Sequence, residues 1–287
     1  MAVPLTYRER AARKLPRLRK LGHQWLRVAA AGGRPTTRVV FVVGSQRSGT
    51  RVPLRVLERS PDVFTFSEGT SPYFQRVFLQ PLDVIERLLS RSPFPVVALK
   101  PICETHRVIE LLEHFPGSRA LWIFRNYQDA VNSASAKWMS GREAVRRLAH
   151  GELQAASWRA GGLTSERLEF VRSVYSDSMS LHAANAVMWL LRNGLFFDLH
   201  ADRRSDVMLL RYEDVVEDTA QQSARLFGFL GLDDPGGARG RLYRSSVSKE
   251  SFPEIPSEIR ERCESLQSRL REHYASVLEP SIALVNR

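Results

Sequence analysis

Five short apolar runs, at residues 39–43, 63–66, 96–99, 120–124 and 207–210, are separated by longer stretches in which apolar residues recur at helical spacing. Runs of this kind predict strands buried on both faces, as a parallel sheet requires. Helical patterns over 50–59, 82–91, 105–114 and 127–139 lie between most of them, and another over 181–199 precedes the last run. The alternation predicts an α/β fold of three layers, a parallel central sheet with helices on both faces. Ligands in such sheets bind beyond the carboxyl ends of the strands. The polar residues to read are then those at 44–50, 67–70 and 211–214, with Lys100 and Arg125.

The strand pattern lapses between about 140 and 180, in a mostly polar, partly helical stretch with Trp158, Gly161 and Gly162 that is long enough for a lid or an acceptor wall. Residues 239–257 are irregular, and a polar helix follows over 257–274. Before the first strand, Leu18, Leu21, Trp25 and Val28 recur at helical spacing after Pro16, with basic residues between them. Such a helix commonly packs half-buried on its own domain; the alternative is peripheral contact with an anionic membrane.

Charge sharpens the picture of that arm. Of the chain's net +11, +7 falls within residues 1–28, so the remainder is only mildly basic. That distribution argues against a nucleic-acid-binding domain, whose charge lines a groove among aromatics. We expect a basic amphipathic arm over 1–33 and one domain over 34–287, since 287 residues leave little room for a second core. No apolar run approaches the ~18 residues of a membrane span, and no secretory signal pattern opens the chain, which predicts a cytoplasmic protein, in peripheral membrane contact if the arm lies on lipid. Cys103 and Cys263 make neither a disulfide framework nor a metal site. His182 and His200 read as ordinary histidines, and Trp158 and Trp189, with Trp138, read as core before acceptor platform.

The chemistry starts at the end of the first run, where Gly44-Ser45-Gln46-Arg47-Ser48-Gly49-Thr50 follows directly on Val43. A glycine-bounded turn leading into a helix at Thr50 suits a phosphate or sulfate. The two glycines have P-loop spacing, but Thr50 stands where a nucleoside triphosphatase carries its lysine, and no Walker B carboxylate is evident. The cation is Arg47, inside the turn, and its fork matches two oxygens of a tetrahedral anion without a metal. A second cluster follows the fourth run: Arg125 ends the strand, and Ser133 lies eight residues on, inside the next helix.

Together these motifs resemble the sulfotransferases that use 3′-phosphoadenosine 5′-phosphosulfate. The loop is similar to their 5′-phosphosulfate loop, and Arg125 and Ser133 have the spacing of their 3′-phosphate site. Leu209-Leu210-Arg211-Tyr212-Glu213-Asp214 resembles their L-x-Y-E-D strand end, and Ser248-Lys249 before Ile255-Pro256 resembles their late nucleotide-covering loop. The resemblance implies that Gly44, Gln46, Arg47, Ser48, Gly49, Thr50 and Arg51 hold the phosphosulfate. Arg125 and Ser133 would hold the 3′-phosphate, with Ser248 and Lys249 covering it.

The acceptor hydroxyl needs a base. Glu68 stands 21 residues beyond Arg47, where the tyrosylprotein sulfotransferases, by the same resemblance, carry their glutamate. The cytosolic small-molecule enzymes instead place a histidine in a K-T-H motif; here that strand ends Leu99-Lys100-Pro101-Ile102, with the lysine but not the histidine, and His106 is the fallback. Lys100 and Arg47 are the cations available to the departing nucleotide oxygen, and no metal is expected. The resulting expectation is a sulfotransferase acting on a carbohydrate, glycolipid or other small metabolite in preference to protein tyrosine. A P-loop kinase or nucleoside triphosphatase and a non-catalytic nucleotide-binding protein are the alternatives. Arg211, Glu213 and Asp214 read as structural, capping the helix after their strand.

Overall fold

The computed structural model describes residues 7–70, 72–137, 139–236 and 254–285. Its first element is the helix α1 (Tyr7–Ala30), which continues through Pro16. The chain then runs β1 (Arg38–Gly44), α2 (Arg51–Leu57), β2 (Val63–Ser67), a small hairpin of β3 (Phe74–Gln75) and β4 (Phe78–Leu79), α3 (Leu82–Ser90) and β5 (Val96–Lys100). A 3₁₀ turn, Ile102–Arg107, leads into α4 (Val108–His114), followed by β6 (Arg119–Phe124) and α5 (Tyr127–Ser135). The stretch after α5 holds α6 (Gly141–Ala149), α7 (Leu153–Ala156) and α8 (Ser165–Val174). The last part comprises α9 (Leu181–Asp198), β7 (Val207–Arg211), α10 (Tyr212–Glu217), α11 (Thr219–Leu230) and α12 (Ser257–Val285).

The five apolar runs are the five strands of one parallel sheet, in the order β2-β5-β1-β6-β7. Their side chains alternate between two cores. Phe41 and Val43 face the side covered by α5, α9 and α12, whereas Val40 and Val42 face α2, α10 and α11. Both faces are covered, and so the strands show no polar alternation. Because β5 flanks β1 on one side and β6 on the other, the winding reverses at β1, and its carboxyl end is the crevice where open α/β sheets bind ligands.

Three elements differ from their sequence patterns. The helix expected over 105–114 opens as a 3₁₀ turn, with Glu104 off helical geometry. Thr105 Oγ1 donates there to the carbonyl of Gly44 at 3.0 Å and accepts from its amide at 3.2 Å, which ties the turn to the end of β1. The helix expected over 127–139 closes at Ser135. In the arm, Leu21 and Val28 are half-buried while Leu18 and Trp25 are exposed, so the stripe read from the spacing does not pack as one face.

Candidate active site

The turn after β1 is built on close backbone approach. Gly44 has φ 132°, and a Cβ there would lie 2.3 Å from the carbonyl oxygen of Ile123 on β6. Gly49 has φ 80°, and its Cβ would lie 2.0 Å from the ring of Tyr212. Only glycine fits either position. Arg47 takes φ 65°, a left-handed conformation that costs a non-glycine residue about 1–2 kcal/mol. α2 begins at Arg51 with Thr50 as its cap and is only seven residues long, so the cradle depends more on the turn than on a long helix.

Inside the turn, Ser48 is fully buried, and its hydroxyl and the buried Gln46 Nε2 have no hydrogen-bond partner among the described residues. A buried donor left without a partner costs about 1–3 kcal/mol, a cost that a bound oxyanion relieves. Arg47 bends toward α5, donating from Nε and Nη2 to Ser133 Oγ at 3.0 and 2.8 Å. Burial and the neighbouring guanidinium charges of Arg125 and Arg51 push its pKa down. Congested positive charge of this kind favours an anion at the same place.

Arg125 is held from two directions. Its guanidinium lies 4.7 Å from the centroid of the Tyr212 ring and donates to the carbonyl of Arg47 at 3.4 Å, with Asp129 at 3.6 Å. Tyr212 therefore supports both Gly49 and Arg125. Glu213, buried beside it, accepts from the amide of Asn126 at 2.9 Å, and Arg211 pairs with Asp214 at 3.2 Å. Asn126 in turn caps α5, accepting from the amides of Gln128 and Asp129.

α5 divides two cavities. On one side Arg47, Arg125, Ser133, Lys137 and His182 line a cavity of about 540 Å³. On the other, Ala130 and Ala134 join Gln46, Glu68, Trp158 and Trp189 around one of about 370 Å³. The turn reaches both, through Arg47 and through Gln46. Lys137 is not among the site residues read from the sequence, although it is one of only five lysines, and His182 reads there as an ordinary histidine. Ser140, Gly141 and Arg159, from the stretch after α5, also line the smaller cavity.

Glu68 follows β2, and the pairing of Ser67 with Lys100 sets it beside the end of β5. Glu68 Oε2 accepts from Lys100 Nζ at 2.8 Å, and Oε1 accepts from the amide of Cys103 at 2.8 Å. Lys100 is 7% exposed, so this is a nearly dry ion pair. Burial and the Glu68 charge raise the Cys103 thiol to about 12, which keeps it protonated. Arg192 is a further cation that sequence reading passed over. Fully buried in α9, it donates to the carbonyls of Ile102 at 3.2 Å and Trp158 at 3.3 Å, bridging the turn after β5 to the cavity wall. Its only sequence signal is an arginine in the apolar run Met188-Trp189-Leu190-Leu191.

Other expected residues lie elsewhere. Arg51 is exposed and lines a small cavity with Arg17 and Arg55, and it is not among the residues lining the turn's two cavities. Ser248, Lys249 and Trp138 fall outside the described residues. His106 packs under Gly161, where a Cβ would lie 2.5 Å from its Nε2, and it is not among the residues lining either cavity. Burial, then Arg192 and Arg107, lower its pKa to about 4 from 6.5. Between those values the unfolded chain binds a proton that the folded chain refuses, so stability falls as pH drops from 6.5 toward 4. With solvent screening at a partly exposed ring, the loss should be about 1–2 kcal/mol. The unfolding free energy from urea titration should fall between pH 7 and 5 by about that much more in the wild type than in His106→Gln; an equal fall would refute the assignment.

A family model of the sulfotransferase domain matches residues 37–252, from the start of β1 through the turn and both cavities. The chain belongs to the sulfotransferase family. Solved sulfotransferase structures are similar to this chain at low identity. A sulfotransferase of Alicyclobacillus acidocaldarius is 18% identical, with 86% of this chain and 96% of that one covered and a TM-score of 0.44. The sulfotransferase domain of the Synechococcus olefin synthase is 13% identical, with 82% and 95% covered and a TM-score of 0.47. A mouse sulfotransferase complexed with PAP is 15% identical, with 80% and 64% covered and a TM-score of 0.38. Comparison with the curated proteins gives no significant match.

The family uses 3′-phosphoadenosine 5′-phosphosulfate, and this sulfotransferase's residues fit such a donor. The partnerless buried donors of Ser48 and Gln46 suit one anionic group, and the cations Arg47, Arg125 and Lys137 around the larger cavity suit another. No described helix is long and apolar enough to cross a membrane.

Proposed function

We propose that this sulfotransferase transfers a sulfuryl group from 3′-phosphoadenosine 5′-phosphosulfate to a hydroxyl of a carbohydrate, glycolipid or other small metabolite. Glu68 serves as general base, and residues 34–287 form the single catalytic domain. The observation that carries this reading is the pair of cavities meeting at one turn, a basic one beside Arg47 and one containing a carboxylate beside Gln46. When bound, the donor supplies an activated sulfuryl group whose sulfur–oxygen bond to the 5′-phosphate breaks as a bond to the acceptor oxygen forms.

The chain's residues have separate tasks in this reaction. Glu68 takes the acceptor proton, and Lys100 and the Cys103 amide hold its carboxylate in orientation. Arg47, anchored by Ser133, and the Ser48 hydroxyl counter the charge that develops on the departing phosphate oxygen. Arg125 holds the 3′-phosphate, with Ser133 beside it. Ser248 and Lys249 cover the nucleotide if their resemblance carries over. The smaller cavity, of about 370 Å³, has room for a small molecule. Trp158, Asn185 and Ser140 line that cavity, an aromatic and two polar groups suited to a small hydroxylated acceptor. The buried, unlinked thiols Cys103 and Cys263 are in keeping with a reducing, cytoplasmic compartment.

Calorimetric titration with 3′-phosphoadenosine 5′-phosphate and with ATP, each with and without magnesium, tests the donor. The 3′-phosphate ligand should bind at least about 10-fold more tightly and need no metal, a difference of roughly 1.4 kcal/mol. Preference for ATP with magnesium would overturn the reading in favour of a kinase or triphosphatase. A screen of hydroxyl acceptors with labelled donor, read by mass spectrometry, then identifies the product.

A further inference from the structure

α1 grips the molecule with its polar face and leaves its apolar face bare. Arg17 Nη2 donates to the carbonyl of Thr65 at 2.6 Å, Lys20 Nζ to that of Glu58 at 2.9 Å, and Gln24 Nε2 to that of Pro61 at 2.6 Å, while Arg27 pairs with Asp62 at 2.5 Å. At 100° per residue these four positions share one side of the helix. Leu15, Leu18, Trp25 and Leu26 lie on the other side, 51%, 61%, 41% and 69% exposed. This inverts the usual surface helix, whose apolar stripe faces the core.

We infer that this stripe is a docking surface for an anionic lipid bilayer. Charge complementarity selects that occupant. The stripe belongs to an arm carrying a net +7 over residues 1–28; Arg17, Lys20 and Arg27 are held on the docked face, while Arg19 is exposed on the helix and the Arg34 guanidinium lies 5.2 Å from the centroid of the Trp25 ring. An apolar stripe with aromatic and basic borders matches the boundary between acyl chains and anionic headgroups. A second copy would bring two strongly positive arms together, which their repulsion opposes.

The orientation is set by the contacts. Arg27 and Gln24 hold Asp62 and Pro61, Lys20 holds Glu58, and Arg17 reaches Thr65, so α1 crosses the turn before the edge strand β2 and meets that strand at its middle. A bilayer on the stripe would therefore lie beside the edge strand of the sheet. This inference does not depend on the acceptor's identity.

The full chain should sediment with vesicles of phosphatidylcholine and phosphatidylglycerol, much less with phosphatidylcholine alone, and less again at high salt. The double variant Leu18→Asp with Leu26→Asp should lower partitioning on the order of 100-fold. It should keep the wild-type affinity for 3′-phosphoadenosine 5′-phosphate and the wild-type melting temperature, because both leucines point away from the docked face. Equal sedimentation of wild type and double variant would overturn the inference. So would wild-type self-association, seen by sedimentation velocity and abolished in the double variant, which would make the stripe a contact between copies.

Discussion

Glu68→Gln is expected to lower kcat about 10²–10⁴-fold while shifting the affinity for 3′-phosphoadenosine 5′-phosphate by no more than a few-fold. The glutamine keeps the volume and one acceptor oxygen but cannot take a proton. Two donors now share the carboxylate, Lys100 Nζ and the Cys103 amide, each at 2.8 Å, and an amide satisfies only one of them well. Some stability, about 1–3 kcal/mol, should therefore be lost as well. A purely structural Glu68 would give the lower melting temperature with kcat intact, so measuring both separates the roles. Full turnover in Glu68→Gln would remove the carboxylate from the proton transfer. It would not return that role to His106, which is packed under Gly161.

Arg125→Ala should act on the other half of the reaction, weakening binding of 3′-phosphoadenosine 5′-phosphate about 10- to 100-fold, as expected for hydrogen bonds to a charged group. At saturating donor, kcat should fall far less than in Glu68→Gln. Arg125 is 5% exposed and stacked on Tyr212, so the guanidinium is already oriented and little ordering is needed on binding. The discriminating ligand is adenosine 5′-phosphosulfate, which lacks the 3′-phosphate. Its affinity should be almost unchanged by the substitution. Equal weakening of both ligands would mean that Arg125 supports the turn through the Arg47 carbonyl and does not read the 3′-phosphate.

The strands were legible because a parallel strand buried on both faces must be apolar throughout. The turn from Gly44 to Thr50 was legible for a related reason. Close backbone approach leaves glycine alone at two positions, and the spacing of those glycines is visible before any contact is known. Arg192 was not legible, because a lone arginine in an apolar helix reads as a local irregularity. Its meaning comes from carbonyls 90 and 34 residues away. His182 was hidden similarly, because it joins Arg125 at the larger cavity only when α9 packs beside α5.

The arm is the sharpest contrast. Helical spacing correctly predicted an amphipathic helix, but spacing cannot say which face the protein will use, and here hydrogen bonds to β2 and the turn before it took the polar one. The sequence by itself determined the sheet, its helical layers and the glycine-bounded turn after β1, because each follows from local patterns of burial and backbone freedom. Only the tertiary structure decided that Glu68 pairs with Lys100, that α5 separates a basic cavity from a carboxylate-bearing one, and that α1 turns its leucines outward. Those outcomes depend on contacts between residues far apart in the chain, and no local pattern encodes them.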